Sequence, residues 1–464
     1  MMNNSRKVMV IGLDCAPPEL VFERWRDELP NLRRLIAEGV YGPLKTIVPP
    51  ITIPAWTCMM TSKDPGQLGF YGFRNRADYS YQELSTANST FVHEPTVWDI
   101  LSRAGREVIL VGVPQTYPPK PTNGCMVSCF LTPSTGSEYT FPPELKSEVE
   151  EVTDGYILDA DGFRADDKEP IRQQVFEMTE KRFRLIRHLM TTRAWDFLMF
   201  VEIGVDRIHH AFWKYSDPRH RKYEPDSPYA NVILDYYRFV DAQIGELLAM
   251  LDDRTVVFVV SDHGAKAMDG GFCLNEWLIR EGYLRLKERP DGVMPIGKAQ
   301  VDWARTTAWG AGGYYGRLFL NVKGRERHGT VDPNDYEKVR DEIKAGLEAA
   351  TDEKEGLLNT RVFKPQEIYR ECRNIPPDLI IYFGDLAWRS VGSVGHNAIH
   401  VFENDTGPDD ANHAQHGIFI MWDPLRRQGV FREDLSIMDC APTMLTTLGL
   451  PVPPDMAGKS IAWR

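Results

Sequence analysis

Seven side chains spread along this 464-residue chain carry the atoms that hydrolytic metal chemistry requires. Asp14 closes the run VIGLDC, Thr52 sits in PPITIPAW, Asp206 and His210 share DRIHH, Asp262 and His263 are adjacent in VVSDHG, and His413 lies in NHAQHG. Hard carboxylate oxygens mixed with imidazole nitrogens, and no closely paired cysteines, make a donor set for a catalytic divalent ion rather than for a structural zinc. Thr52 adds an alcohol. An alcohol is a weak nucleophile near neutrality, and a neighbouring cation lowers its pKa as it lowers that of bound water. These residue types predict metal-assisted hydrolysis with Thr52 as the attacking group.

Each residue also has a plainer reading. Alone, Asp14 would more often cap a helix than hold an ion. Its weight comes from closing an apolar strand, where open α/β sheets bind ligands. The spacing of Asp206 and His210 puts both on one face of a helix beginning near Val205, with His209 pointing elsewhere. Asp262-His263 follows five apolar residues, and Gly264 permits a sharp turn with close backbone approach, which favours a ligand pair over a helix cap with an exposed histidine. His413 precedes a strand, and a shifted register would put His416 in its place. The other histidines of the eleven are assigned to the surface or to satisfied core positions. Thr52 is stiffened by Pro49-Pro50 and Pro54 and is β-branched, so it holds few conformations. Its plain alternative is a structural threonine at a helix start.

Short aliphatic runs at Lys7–Leu13, Glu107–Val113, Trp195–Glu202, Thr255–Ser261, Asp378–Phe383 and Gly417–Trp422 lack polar alternation, as strands covered on both faces do. Helical patterns lie between them: NLRRLIAEG, TVWDILSRAG with its stop at Gly105, and ANVILDYYRFVDAQIGELLAMLDD. This alternation predicts an α/β fold, a mostly parallel central sheet flanked by helices on both faces, as one domain over residues 1–464. Two stretches break the rhythm. Residues 114–165 are rich in Pro, Gly, Ser and Thr, and residues 265–330 in Gly and aromatics. Both are expected to be insertions that wall or cover the site.

A net charge of −12 with pI near 5.5 argues against broad binding to a nucleic-acid polymer. It leaves room for a small phosphorylated ligand, because bound cations supply the local positive charge. No run is long enough to span a membrane, and the apolar run near the start is too short for a secretory core. Seven scattered cysteines without a CxxC pattern suit buried thiols in a reducing compartment, so a cytoplasmic location is expected. Helices rich in Tyr and Trp suggest a homodimer face.

In order over residues 7–422, VIGLD, TIPAWTCMMTSKDPGQLG, DxxxH, SDHG and a late His before GIF resemble the alkaline phosphatase superfamily. Within it the chain is similar to the type I phosphodiesterase/nucleotide pyrophosphatase branch and to predicted phosphohydrolase/phosphomutase proteins. The resemblance implies two divalent ions, zinc first, with manganese or magnesium as alternatives. It implies that Asp206, His210 and His413 hold one ion and that Asp14, Thr52, Asp262 and His263 hold the other. It implies attack of Thr52 on phosphorus, a phosphothreonine intermediate and completion by water. The expected substrates are phosphodiesters or nucleotide pyrophosphates. The alternatives are a phosphomonoesterase, a phosphomutase, or a metal-binding scaffold without activity.

The branch places Asn three residues after the nucleophile, where this chain has Ala55 followed by Trp56. Loss of one such donor to the transition state costs about 3 kcal/mol, and Asn412, Asn397 or a main-chain N–H are the candidates to replace it. Leu68 stands where the branch usually has a histidine. No C/S-x-P-x-R segment of a sulfatase is present, nor the serine motif of a cofactor-independent phosphoglycerate mutase. A monoesterase would need an arginine near the nucleophile, and Arg74 and Arg76 are the nearest in sequence. The diester expectation rests on Thr-x-Pro and on aromatics at 309–315 and 212–213 that would stack on a base.

Overall fold

The structure, a computed structural model, describes residues 6–81 and 84–463. Its central strands are β1 (Lys7–Leu13), β2 (Val40–Lys45), β3 (Val108–Val111), β4 (Gly124–Val127), β5 (Thr140–Phe141), β6 (Phe197–Glu202), β7 (Thr255–Val260) and β8 (His416–Trp422). They lie in the order β2-β8-β7-β1-β6-β3-β4-β5, with short strands at Val430–Phe431 and Leu435–Ser436 beside β2. The middle five, β7-β1-β6-β3-β4, are parallel.

Along β1 the side chains divide between two cores. Met9, Ile11 and Leu13 join a core with the helices α1 (Pro30–Glu38), α4 (Lys168–Thr192), α5 (Gly204–Ser216) and α6 (Val232–Ala249). Val8 and Val10 join the opposite one with α2 (Thr52–Thr61), α3 (Val97–Arg103) and α7 (Cys440–Thr447). Both faces of each central strand are apolar because both are covered, which is why the runs show no alternation.

Two of the six runs lie outside the parallel block. Residues 417–422 belong to β8, which pairs antiparallel with both β7 and β2. The 378–383 run forms the strand Leu379–Tyr382 of a separate antiparallel sheet with Ala308–Ala311, Gly316–Leu320 and Arg361–Phe363. Leu379 and Ile381 face a core built around Trp277, and Ile380 and Tyr382 face a smaller one with Tyr71 and Tyr315. Burial on both faces gave this run the same pattern as a parallel strand.

The 114–165 stretch supplies β4 and β5 before turning back with Phe163 and Arg164 to the C-terminal end of the sheet. The 265–330 stretch opens the second sheet and carries Tyr314 to the same place. Among the described residues no helix is long and apolar enough to cross a membrane. All seven cysteines are free thiols, and all but Cys372 are buried.

Candidate metal centre

Three adjacent parallel strands deliver the site at their C-terminal ends, as open α/β sheets do. Asp14 follows β1, Asp262 and His263 follow β7, and Asp206 and His210 occupy the first turns of α5 directly after β6. The fourth segment arrives from far along the chain. His413 lies on a strand, Ala411–Ala414, whose partner is Gly264–Ala267 just beyond His263. Thr52 is the first residue of α2. Its hydroxyl makes no cap, since Ile51 is the N-cap and carries no side-chain acceptor.

These residues form two facing groups, all buried. In one, His263 Nε2 is 3.1 Å from Asp262 Oδ2 and 3.9 Å from Asp14 Oδ1. Thr52 Oγ1 is 3.3 Å from the same nitrogen. In the other, Asp206 Oδ1 is 3.1 Å from His210 Nε2 and 3.7 Å from His413 Nε2. The His263 and His413 rings stack at 3.8 Å between centroids and join the two.

The donor set fits divalent cations on two counts. Asp14 Oδ1 and Asp262 Oδ2 are buried without a hydrogen-bond partner, a costly condition that a cation would relieve. All three histidines turn Nε2 inward and tie Nδ1 back: His210 to Asp409 Oδ1 at 2.7 Å, His413 to the Pro50 carbonyl at 2.7 Å, and His263 to the Gly264 carbonyl at 3.2 Å. Fixing the outer nitrogen in this way orients an imidazole for ligation. The other carboxylate oxygens are held too, Asp14 Oδ2 by Trp56 Nε1 at 2.7 Å and Asp262 Oδ1 by the Cys15 N–H at 3.2 Å.

Two glycines make the approach feasible. A Cβ on Gly12 would stand 2.6 Å from the Trp56 ring, and one on Gly264 would stand 2.1 Å from the His416 carbonyl.

Burial raises the pKa of Asp14 and Asp262 well above the usual carboxylate range, and their acidic neighbours add to it. Burial also pushes Asp206 upward, but His210 and Arg207 outweigh it and hold that carboxylate well below its ordinary value. His210 is lowered by burial yet lifted to about 9 by Asp409 and Asp206, whereas burial brings His263 down to about 4. Burial and His263 together hold His413 well below its ordinary value.

A pH dependence follows. From about pH 6.5 to about 9 the unfolded chain has released a proton that folded His210 retains. Its folded pKa is raised, so the metal-free protein loses stability across that window, and the raised pKa values of Asp14 and Asp262 act in the same direction. His263 and His413, lowered by folding, contribute the opposite slope only below it. Cations displace those protons, so metal affinity rises with pH and binding releases protons. Thermal unfolding at both ends of the window, with and without zinc or manganese, measures this. A metal-free Tm that climbs from 6.5 to 9 contradicts it.

The type I phosphodiesterase/nucleotide pyrophosphatase family matches the chain over residues 8–424. The chain belongs to this family. Solved structures share its fold at low identity. Human ectonucleotide pyrophosphatase/phosphodiesterase 5 is 14% identical, with TM-score 0.57 over 98% of this chain and 97% of its own. An inactive form of the murine protein, in complex with AMP, is 14% identical, with TM-score 0.54 over 97% of this chain and 96% of its own. Phosphonoacetate hydrolase from Sinorhizobium meliloti 1021, in complex with phosphonoformate, is 15% identical, with TM-score 0.60 over 96% of this chain and 95% of its own. No curated protein sequence matches.

For a type I phosphodiesterase-family chain, the unusual positions have structural answers. Trp56, beside the missing Asn, is the donor to Asp14. Asn412 is engaged, its Nδ2 on the Tyr314 carbonyl at 3.1 Å and its Oδ1 on the His413 N–H. Asn397 is exposed and accepts from Arg289. The second Nδ2 hydrogen of Asn412 and the main-chain N–H groups of Thr52 and Ile53 in the first turn of α2 are the candidates to replace the Asn. His416 is exposed opposite Lys45 and takes no part. His209 is a buried core histidine outside both groups, with Nε2 at 3.2 Å from Tyr237 OH and Nδ1 without a partner. Leu68 is apolar core. Trp309, Phe212 and Trp213, expected to stack on a base, are core residues as well.

Residue types alone did not reveal several supports. Arg207 reaches Asp206 Oδ2 at 2.5 Å and holds both oxygens of Asp159 at 2.8 Å. Asp409, clamped by Arg164 at 2.9 Å and Tyr314 OH at 3.1 Å, holds His210. Arg164 also hydrogen-bonds Tyr314, whose ring packs on His210 and His413. Asp409→Asn is expected to weaken metal binding roughly 10- to 100-fold, the usual cost of losing a partner behind a ligating histidine. Metal titration with a chromophoric chelator checks it, and an unchanged affinity removes Asp409 from that role.

Proposed function

We propose that this chain is a two-metal phosphohydrolase that cleaves phosphodiesters or nucleotide pyrophosphate bonds, with Thr52 as nucleophile. The observation that carries the reading is the position of Thr52 Oγ1, 3.3 Å from His263 Nε2, the nitrogen that itself lies 3.1 Å and 3.9 Å from two carboxylate oxygens without hydrogen-bond partners, Asp262 Oδ2 and Asp14 Oδ1. Asp14, Thr52, Asp262 and His263 would hold one ion and Asp206, His210 and His413 the other. The bound cations, zinc first and manganese or magnesium as alternatives, would acidify the threonine hydroxyl and offset charge on the leaving oxygen.

Thr52 attacks phosphorus and gives its proton to solvent. The Oγ1–P bond forms as the bond to the leaving oxygen breaks, leaving a phosphothreonine ester. Water then displaces Thr52 from phosphorus and restores the hydroxyl. Each displacement inverts the phosphorus centre. In this reading the first-turn N–H groups of α2 would face the attacked phosphoryl group, where a helix N-terminus favours negative charge. They supply the donors that Ala55 cannot.

Charge favours the diester over the monoester. A dianionic phosphate calls for an arginine that is not already paired. Arg207 is committed to Asp159 and Asp206, Arg164 to Asp409, and Arg76 to Glu326 at 2.9 Å, while Arg74, the other arginine near the nucleophile in sequence, is exposed. A diester carries one charge less. The AMP held by the murine relative supports a nucleotide-sized substrate.

Metal-reconstituted protein assayed on bis-p-nitrophenyl phosphate, p-nitrophenyl phosphate and p-nitrophenyl sulfate tests the reading. Preference for the diester is expected. Preference for the monoester moves the assignment to a phosphatase or mutase, and inactivity on all three counts against catalysis.

A further inference from the structure

Cys15 occupies an uncommon place. It follows Asp14 at the end of β1 with φ of 66°, the left-handed region that a residue with a side chain seldom adopts. That backbone turn serves both halves of the centre. The Cys15 N–H points to Asp262 Oδ1, while Sγ turns the other way. It joins Asp206, His210 and His413, with one donor atom from each of the four residues lying within 4.8 Å of the others. The side chain is fully buried, and its thiol is directed at the Gly264 carbonyl at 3.4 Å.

A cysteine serving as inert filler would sit among apolar side chains. This one sits among an acid and two imidazoles, the three protein donors of one candidate ion position. The strained turn adds weight, since backbone outliers of this kind gather where the surrounding structure enforces a functional geometry.

We propose that Cys15 Sγ is a fourth protein donor to the ion held by Asp206, His210 and His413, and that it biases this position toward zinc. Thiolate is a soft ligand that selects zinc over manganese, whereas carboxylate suits either. On ligation Sγ gives up the proton now directed at the Gly264 carbonyl, which leaves to solvent as the sulfur–metal bond forms. Because zinc can take a fifth ligand, four protein donors there would still allow contact with the leaving oxygen. The inference rests on the two-metal reading above.

Cobalt(II) loading of the full chain tests it through spectroscopy rather than turnover. The unmodified protein should show a thiolate-to-cobalt charge-transfer band in the near ultraviolet. Cys15→Ser and Cys15→Ala should lose it, and Cys372→Ser, which alters the most accessible thiol, should keep it. In competition loading read by elemental analysis, Cys15→Ser should lower the zinc-over-manganese preference about tenfold. Two cobalt ions bound per chain without the band, or a band that survives both Cys15 substitutions, overturns the role of Cys15 and leaves the metal centre standing. Binding of less than one cobalt per chain overturns both. If Cys15→Ser fails to fold, the unmodified spectrum and Cys15→Ala decide.

Discussion

Thr52→Ala should abolish turnover, by on the order of 10³-fold or more, while the protein stays folded and keeps the ions held by carboxylates and imidazoles. The structural cost is small, because the hydroxyl is not a helix cap and its partner among the described residues is His263 Nε2. Losing that hydrogen bond costs about 1 kcal/mol, and alanine is at home in the first turn of a helix. Thr52→Ser separates nucleophile from scaffold. It keeps the alcohol but gives up the β-branch that limits rotation, so activity should fall only about tenfold. Steady-state kinetics on the preferred ester, with circular dichroism and metal content on the same samples, reads all three quantities. A Thr52→Ala protein with near-native turnover removes the covalent step from the account.

Asp262→Asn should have an effect nearly as large, with an opposite consequence for stability. The amide keeps an acceptor for the Cys15 N–H but removes the charge that would face the cation, so one ion should be lost and activity should drop at least 10²-fold. The metal-free protein should nonetheless gain stability at alkaline pH, because burial penalises the charged carboxylate and the amide carries no charge. Metal content and Tm near pH 9 check both halves. Full retention of two ions by this variant would remove Asp262 from the ligand set.

The residues that the structure gathers into the two candidate groups could be picked out of the sequence because their placement depends on local geometry. A strand ending in Asp14, another ending in Asp262-His263, and a helix starting just before Asp206 each place a donor at the sheet's C-terminal end, whatever the rest of the chain does. The same reasoning could not see Asp409, Arg164 or Tyr314. They act through one another, from segments far apart in sequence, and each is an ordinary residue in an irregular stretch. Trp56 looked like a departure from the branch's pattern, and its role as donor to Asp14 depends on the space that Gly12 leaves on the neighbouring strand. The 378–383 run misled for a physical reason as well. Hydrophobic continuity reports burial on both faces, and it does not report which sheet does the burying.

The central claim is tested most directly by acid-quenching the metal-loaded enzyme during turnover of bis-p-nitrophenyl phosphate and mapping the modified peptide by mass spectrometry. The account predicts a p-nitrophenylphosphoryl ester on Thr52, absent from Thr52→Ala. An adduct on another residue, or turnover by Thr52→Ala at the native rate, contradicts it.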